Sequence, residues 1–234
     1  MKMSEKIALE VVRKIAEDNL MPGDPLPKEA EIIEMFDASR ASVREALRLL
    51  EVQGLIQIRQ GSHNGTTVGK VDVVNLSRTM TLYFHLAGVT YDEVFEAWRL
   101  TEPLLAQNAA RNRDRALVKK KMEPFLDANN SELDNMIEFH RTIFSLAGNR
   151  ALSFMVRAIG TMCMAIVREL GAKNLAAFRQ DQTEIAQAIL EGDTASAQDI
   201  TMRSLQQVET LYRSEFPDKV GGKIRLPDST NIAA

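Results

Sequence analysis

The sequence predicts a mainly α-helical protein of two domains, and three observations lead there. Between Ser39 and Gln53 the apolar residues Val43, Ala46, Leu47 and Leu50 recur at the three-to-four spacing that one face of a helix requires. Directly afterwards Leu55-Ile56-Gln57-Ile58 alternates apolar and polar side chains, and Thr66-Thr67-Val68 can return beside it as a second strand. From Val71 to Phe216 strand alternation almost vanishes, glycines are few, and Ala, Leu, Met, Glu and Arg dominate at helical spacing.

The first unit is assigned to residues 1–70. Ser4 to Leu20 is the expected first helix, with Ser4 as its N-cap and Ile7, Val11, Val12, Ile15 and Ala16 on one face. Met21 to Pro27 holds three prolines and a glycine, so it must be a turn. Lys28 to Phe36 is a short second helix, Asp37 to Ser39 a tight connection, and Arg40 to Gln53 a third helix that Gly54 stops. With turn residues from Gln60 to Gly65 between the strands, the unit is a winged helix-turn-helix whose small β-hairpin is the wing.

On the third helix Arg40, Arg44 and Arg48 form one exposed stripe. Guanidinium forks match phosphate oxygens and the major-groove edge of guanine, so this helix reads as a DNA recognition helix. The chain of 234 residues carries a formal net charge of -3, which excludes a global basic field and requires a local patch. That patch is visible: residues 38–70 hold five basic side chains against two acidic ones. An arginine stripe alone is often only a solvated face, and here the preceding turn and the following wing favour DNA. Arg48 lies two turns from the helix N-terminus, where a backbone contact is expected, and Arg59 suits either role. So small a reader implies a homodimer on an inverted repeat.

The second unit, residues 71–216, is expected to be an all-α antiparallel bundle of six to seven helices. Helices are placed at about 72–86, 91–111, 114–129, 131–147, 150–170, 173–191 and 194–215. The breaks are Gly88, Asp114, Asn129-Asn130, Gly148-Asn149, Gly171 and Gly192-Asp193. Lys70 to Asp72 is the expected boundary, and 217–234, without periodicity, a flexible tail. A single cysteine, Cys163, excludes an intramolecular disulfide and a multi-cysteine zinc site. With no signal-like N-terminus and no long uncharged apolar run, a cytoplasmic protein with no membrane contact is expected.

Leu26-Pro27, Ser39-Arg-Ala-Ser-Val-Arg-Glu-Ala-Leu47, Gly54-Leu-Ile56 and Arg59-Gln-Gly61 with Val68 give the first unit a specific likeness: it resembles the GntR family of bacterial transcription regulators. The resemblance implies that Arg40 and Arg44 read bases, that Ser39 and Ser42 touch phosphates, and that Gln60 and Gly61 carry the wing tip into the minor groove. In the FadR-like branch the second helix commonly adds an arginine that touches DNA; Ala30 stands there in this chain, with Lys28 nearby to replace the contact.

Arg99-Leu-Thr-Glu-Pro103, Glu138-Phe-His-Arg141, Ala147-Gly-Asn149 and Ala188-Ile-Leu-Glu-Gly-Asp193 make the second unit similar to the FCD type of ligand-binding domain found in that branch. Many such domains hold a divalent metal with an Asp one turn before the Phe-His histidine and two further histidines on the last two helices. The matching positions here are Met136, Gln182 and Ser204, so of four ligands only His140 remains. An imidazole, a thioether, an amide and a hydroxyl make a poor divalent site, and no metal cofactor is expected unless Asp181 or Glu184 turns inward. The effector is then held directly: Arg99 is the leading contact for a carboxylate or phosphate, with His140, Gln182 and Ser204 as hydrogen-bonding groups. Met136, Met155, Met162 and Met164 are candidates for an adaptable apolar wall. The competing readings are a core histidine, methionines that only pack, and an Arg99–Glu102 ion pair at i, i+3 spacing. Trp98, Tyr83 and Phe84 are expected to be buried, in the bundle or against a second subunit.

The function these features imply is a DNA-binding regulator, by default a repressor, controlled by a small anionic effector. A metal-assisted sensor of the same family is the alternative. An enzyme using His140 is a further one, but no Ser-His-Asp or Cys-His pattern or phosphate loop accompanies that residue.

Overall fold

The computed structural model describes residues 1–59, 65–126, 133–174, 176–219 and 221–224. It divides into two compact units, Met1–Leu76 and Ser77–Ala234. The division falls a few residues beyond the expected boundary, inside the first helix of the second unit.

In the first unit the order is α1 (Met3–Glu17), α2 (Glu29–Phe36), α3 (Arg40–Val52), β1 (Ile56–Arg59) and β2 (Gly65–Val68). Ser4 is not the cap of α1: it is buried inside the helix, and Lys2 takes the cap position with its N–H donating to Glu5 Oε2 at 2.8 Å. At α2 the same device recurs, Lys28 N–H donating to Glu31 Oε2 at 2.9 Å. Asp37, in the left-handed region at φ 44°, ends α2, and Ser39 caps α3 by accepting the Ser42 N–H at 3.1 Å. One apolar cluster joins Ile7 and Val11 of α1, Ile32 of α2, Val43, Leu47 and Leu50 of α3, and Ile56 of β1.

β1 and β2 pair antiparallel with Ile56 opposite Val68 and Arg59 opposite Gly65. The Pro-rich turn does more than reverse the chain, because it lies along the free edge of β2. Leu26 N–H donates to Thr66 O at 2.8 Å, Gly23 N–H to Val68 O at 2.9 Å, and Val68 N–H to Asp24 O at 2.9 Å. Prolines are tolerated there because an edge strand needs only some of its N–H groups.

The second unit follows as α4 (Val73–Ala87), α5 (Tyr91–Ala110), α6 (Arg115–Met122), a single 3-10 turn Glu123–Phe125, α7 (Leu133–Leu146), α8 (Arg150–Asn174), α9 (Ala176–Glu191) and α10 (Thr194–Glu215). Caps fix the starts: Thr90 and Glu93 form a capping box at α5, Asp114 accepts the Leu117 N–H at α6, and Asp193 accepts two N–H groups at α10. Two expected boundaries are corrected. The helix placed at 114–129 stops at Met122, just before Pro124, and α8 runs through Gly171 to Asn174 instead of breaking. An interior glycine costs only about 1 kcal/mol, which a helix packed along its length absorbs. The Asn129-Asn130 break lies outside the described residues.

α5 is the central helix, packed on α7, α8, α9 and α10. Its Val94, Phe95, Trp98, Leu105, Ala106 and Ala109 stripe is buried in one core. Phe84 packs partly into that core, whereas Tyr83 is 71% exposed in this chain. The expectation of a flexible tail over 217–234 needs correction for its described residues up to 224, while 225–234 lie outside the described residues. Ile224 is buried, its N–H donates to Val89 O at 3.0 Å, and Tyr91 N–H donates to Gly222 O at 3.1 Å, so the segment closes over the α4–α5 turn.

Gly69 shows where close packing dictates a residue. Its N–H donates to Leu55 O at 2.8 Å, and a Cβ there would lie 2.4 Å from the Gly54 carbonyl oxygen. Gly69→Ala is expected to destabilise the first unit by about 1–3 kcal/mol in chemical denaturation. An unchanged midpoint would show that the backbone contact tolerates a side chain.

Candidate nucleic-acid interface and ligand cavity

The recognition surface follows from how α3 buries its other face. Val43, Ala46, Leu47 and Leu50 are almost completely buried, which turns Arg40, Arg44 and Arg48 outward. The Arg40 and Arg44 side chains are 71% and 64% exposed. Both face Glu29 in the first turn of α2: Arg44 Nε–H donates to the two carboxylate oxygens at 2.9 and 3.1 Å, and Arg40 Nε stands 3.8 Å away. A surface pair of this kind is worth about 0–1 kcal/mol, so it orients the fork and yields it readily to a stronger anion. No local sequence pattern marks Glu29, because only the packing of α2 on α3 brings it to Arg40 and Arg44, eleven and fifteen positions away.

Ser39 is exposed at the start of α3, and its hydroxyl is 2.9 Å from that of Ser42. Ala30 on α2 and Lys28 at its N-cap are both exposed. Arg59 ends β1 and pairs through its backbone with Gly65, the pair of the hairpin nearest the turn. Gln60 and Gly61, expected at the wing tip, lie outside the described residues.

In the second unit, Met136, His140, Gln182 and Ser204, scattered over 69 positions, line one cavity between α5, α7, α8, α9 and α10. Trp98 and Met164 complete part of its wall. The enclosed volume is only about 20 Å³, room for roughly one water molecule. Anything larger enters by moving side chains, for which unbranched methionine is suited.

Beside the cavity sits a buried ionisable group that periodicity alone had not singled out. Glu102 is completely buried; one carboxylate oxygen meets His140 Nδ1 and the other accepts the Trp98 indole N–H. The Arg99–Glu102 pair considered from spacing therefore does not form. Trp98 and Glu102 stand one turn apart on the apolar face of α5, and that placement was the available signal. Burial pushes the His140 imidazole down, but the Glu102 charge and hydrogen bond together outweigh it, so His140 is raised above its ordinary value. With Nδ1 committed to Glu102, Nε2 is the ring nitrogen left for a ligand.

Arg99 is not on the cavity wall. Its Nε stands 3.4 Å from Glu209 Oε2 on α10, without hydrogen-bond geometry, and Arg213 joins Glu209 to Asp92 on the same side. Met155 is exposed and Met162 packs in the core, leaving Met136 and Met164 as the cavity methionines.

The fit to a divalent metal is poor. Among the described residues no three His, Cys, Asp or Glu side chains come together as a metal-holding group. A thioether, an amide and a hydroxyl beside one imidazole do not suit a divalent ion. Glu184 turns outward to Arg203 at 3.2 Å. Asp181 is buried near Ser204, its carboxyl raised by burial against the opposing Ser204 hydrogen bond and Arg203 charge, and its Oδ2 has no partner. Cys163 is fully buried, and burial with the Glu102 charge pushes its thiol well up, so it is no nucleophile at neutral pH.

Comparison with known proteins identifies both domains. Residues 3–68 match the family model of bacterial regulatory proteins, gntR family, and residues 93–207 match that of the FCD domain. The chain is 24% identical over 219 residues to the HTH-type transcriptional regulator LutR of Bacillus subtilis (strain 168), spanning 88% of this chain and 99% of LutR. To the HTH-type transcriptional repressor NanR of Klebsiella aerogenes it is 28% identical over 244 residues, spanning 95% and 90% of the two chains. A solved Streptococcus agalactiae GntR structure shares the fold, with a TM-score of 0.62 and 23% identity over 90% of this chain and 99% of that one. The two matched domains and the relatives that share them make the chain a member of the GntR family, a DNA-binding transcription regulator with an FCD effector-binding domain and not an enzyme.

Proposed function

We propose that this regulator is a FadR-branch repressor that binds a palindromic operator as a homodimer in the cytoplasm, and that a small carboxylate or acyl-type anion in the second unit sets its DNA affinity. The observation that carries the effector reading is His140, anchored and kept protonatable by Glu102 on the wall of a mainly apolar cavity. An imidazolium with one free N–H suits a carboxylate. Gln182 and Ser204 supply neutral hydrogen bonds, Met136 and Met164 supply adaptable wall, and Arg99 joins only by leaving Glu209.

On DNA, Arg40 and Arg44 take base edges, Ser39, Ser42 and Arg48 the phosphate backbone, and Arg59, Gln60 and Gly61 the wing contacts. The homodimer reading rests on α4, whose Leu82, Tyr83 and Leu86 are exposed together on one face. Repression rests on the likeness to NanR, a named repressor. No described helix is long and apolar enough to cross a membrane, which fits the proposed compartment.

Arg44→Ala is expected to weaken operator binding by about 1–3 kcal/mol and to relax base preference at one position of each half-site. Weaker binding with unchanged base preference would assign Arg44 to the backbone. A thermal-shift screen of organic acids tests the effector reading, since a ligand of the folded state raises the melting midpoint. The shift should shrink as pH rises through the elevated His140 pKa and lose that dependence in His140→Gln. The stability sign is the same: the His140–Glu102 pair contributes fully below the ordinary histidine value of 6.5 and is lost as pH rises through the higher folded one. A pH-independent shift, identical in His140→Gln, would take His140 out of the site.

A further inference from the structure

We propose that the cleft between the second half of α7 and the first two turns of α8 binds a small oxyanion of phosphate type, at a site separate from the central cavity. The cleft originates in two matching periodicities. Arg141 and Ser145 lie on one stripe of α7, and Arg150, Phe154 and Arg157 form the corresponding stripe at the start of α8. The Gly148-Asn149 turn, with Gly148 at φ 72°, folds the two stripes against one another. Together they line an open cleft of about 330 Å³, within the size range of small-ligand sites.

Its charge is one-sided. Arg141 has only a long, exposed contact of 3.8 Å with Glu138, and neither Arg150 nor Arg157 forms an ion pair among the described residues. Lys121 brings a fourth cation by donating to Ser145 Oγ at 2.8 Å. Arg157 is half-buried, and a guanidinium withdrawn from water without a carboxylate is stabilised by any anion that enters. The N-terminus of the 25-residue α8 opens at the same turn, adding partial positive charge. Three guanidinium groups around one cleft suit a tetrahedral dianion, whose oxygens each take a fork; a monocarboxylate has too few oxygens to do so.

The site is tested by titrating inorganic phosphate into the full chain in a calorimeter at fixed ionic strength. Wild type should bind one phosphate per chain. The double variant Arg150→Gln/Arg157→Gln should bind about tenfold more weakly or worse, while Arg40→Gln/Arg44→Gln, which strips the other arginine surface, and His140→Gln, in the central cavity, should bind as wild type does. Absence of binding in wild type, unchanged affinity in the double variant, or loss in either of the other two would overturn the assignment. If the double variant does not fold, Arg141→Gln at its exposed position decides: weaker phosphate binding supports the site and unchanged binding overturns it.

Discussion

A carboxylate with no contact to water organises the second unit. An isolated buried carboxylate costs several kcal/mol, so Glu102 is compatible with the folded chain only while both of its oxygens are satisfied. Trp98 satisfies one from the preceding turn of α5, and His140 satisfies the other from α7. That requirement fixes the register between the two helices more sharply than apolar packing, which tolerates small slides. It also orients the imidazole, packed near the Trp98, Phe139 and Phe144 rings, and determines which of its nitrogens meets the cavity.

The same arrangement accounts for a cavity that is nearly closed. Met136, Met164 and the aromatic wall leave the site room for about one water. An anion that inserts its carboxylate against His140 must displace those side chains, and α5, α7 and α8 are the elements they belong to. A ligand shifts a regulator only through such differential contact between its two states. In the first unit Glu29 plays a comparable part, orienting the Arg40 and Arg44 forks at little energetic cost.

The elements were legible in the sequence wherever a local rule sufficed. Ser39, Thr90, Asp114 and Asp193 cap helices by contacts within three residues, and Gly88, Gly148 and Gly192 take the left-handed turns that a side chain resists. The arginine stripe was legible because its opposite face is apolar. The aligned positions Met136, His140, Gln182 and Ser204 came from family resemblance, and the fold gathers them on one wall. What stayed hidden depends on pairing across elements. Glu102 looked like a partner for Arg99 because i, i+3 charge spacing takes no account of the apolar stripe of α5 on which Glu102 lies. The Ile224 segment has no periodicity, since its order comes from backbone hydrogen bonds to the α4–α5 turn. Gly171 has the composition of a break but lies in a helix long enough to absorb it.

Nitrogen-15 NMR of the His140 ring tests the central claim most directly. With Glu102 holding Nδ1, the ring should stay protonated at that nitrogen through neutral pH and titrate above the ordinary histidine value, and Glu102→Gln should bring the midpoint down. A midpoint at or below that ordinary value in wild type, unmoved by Glu102→Gln, would contradict the account.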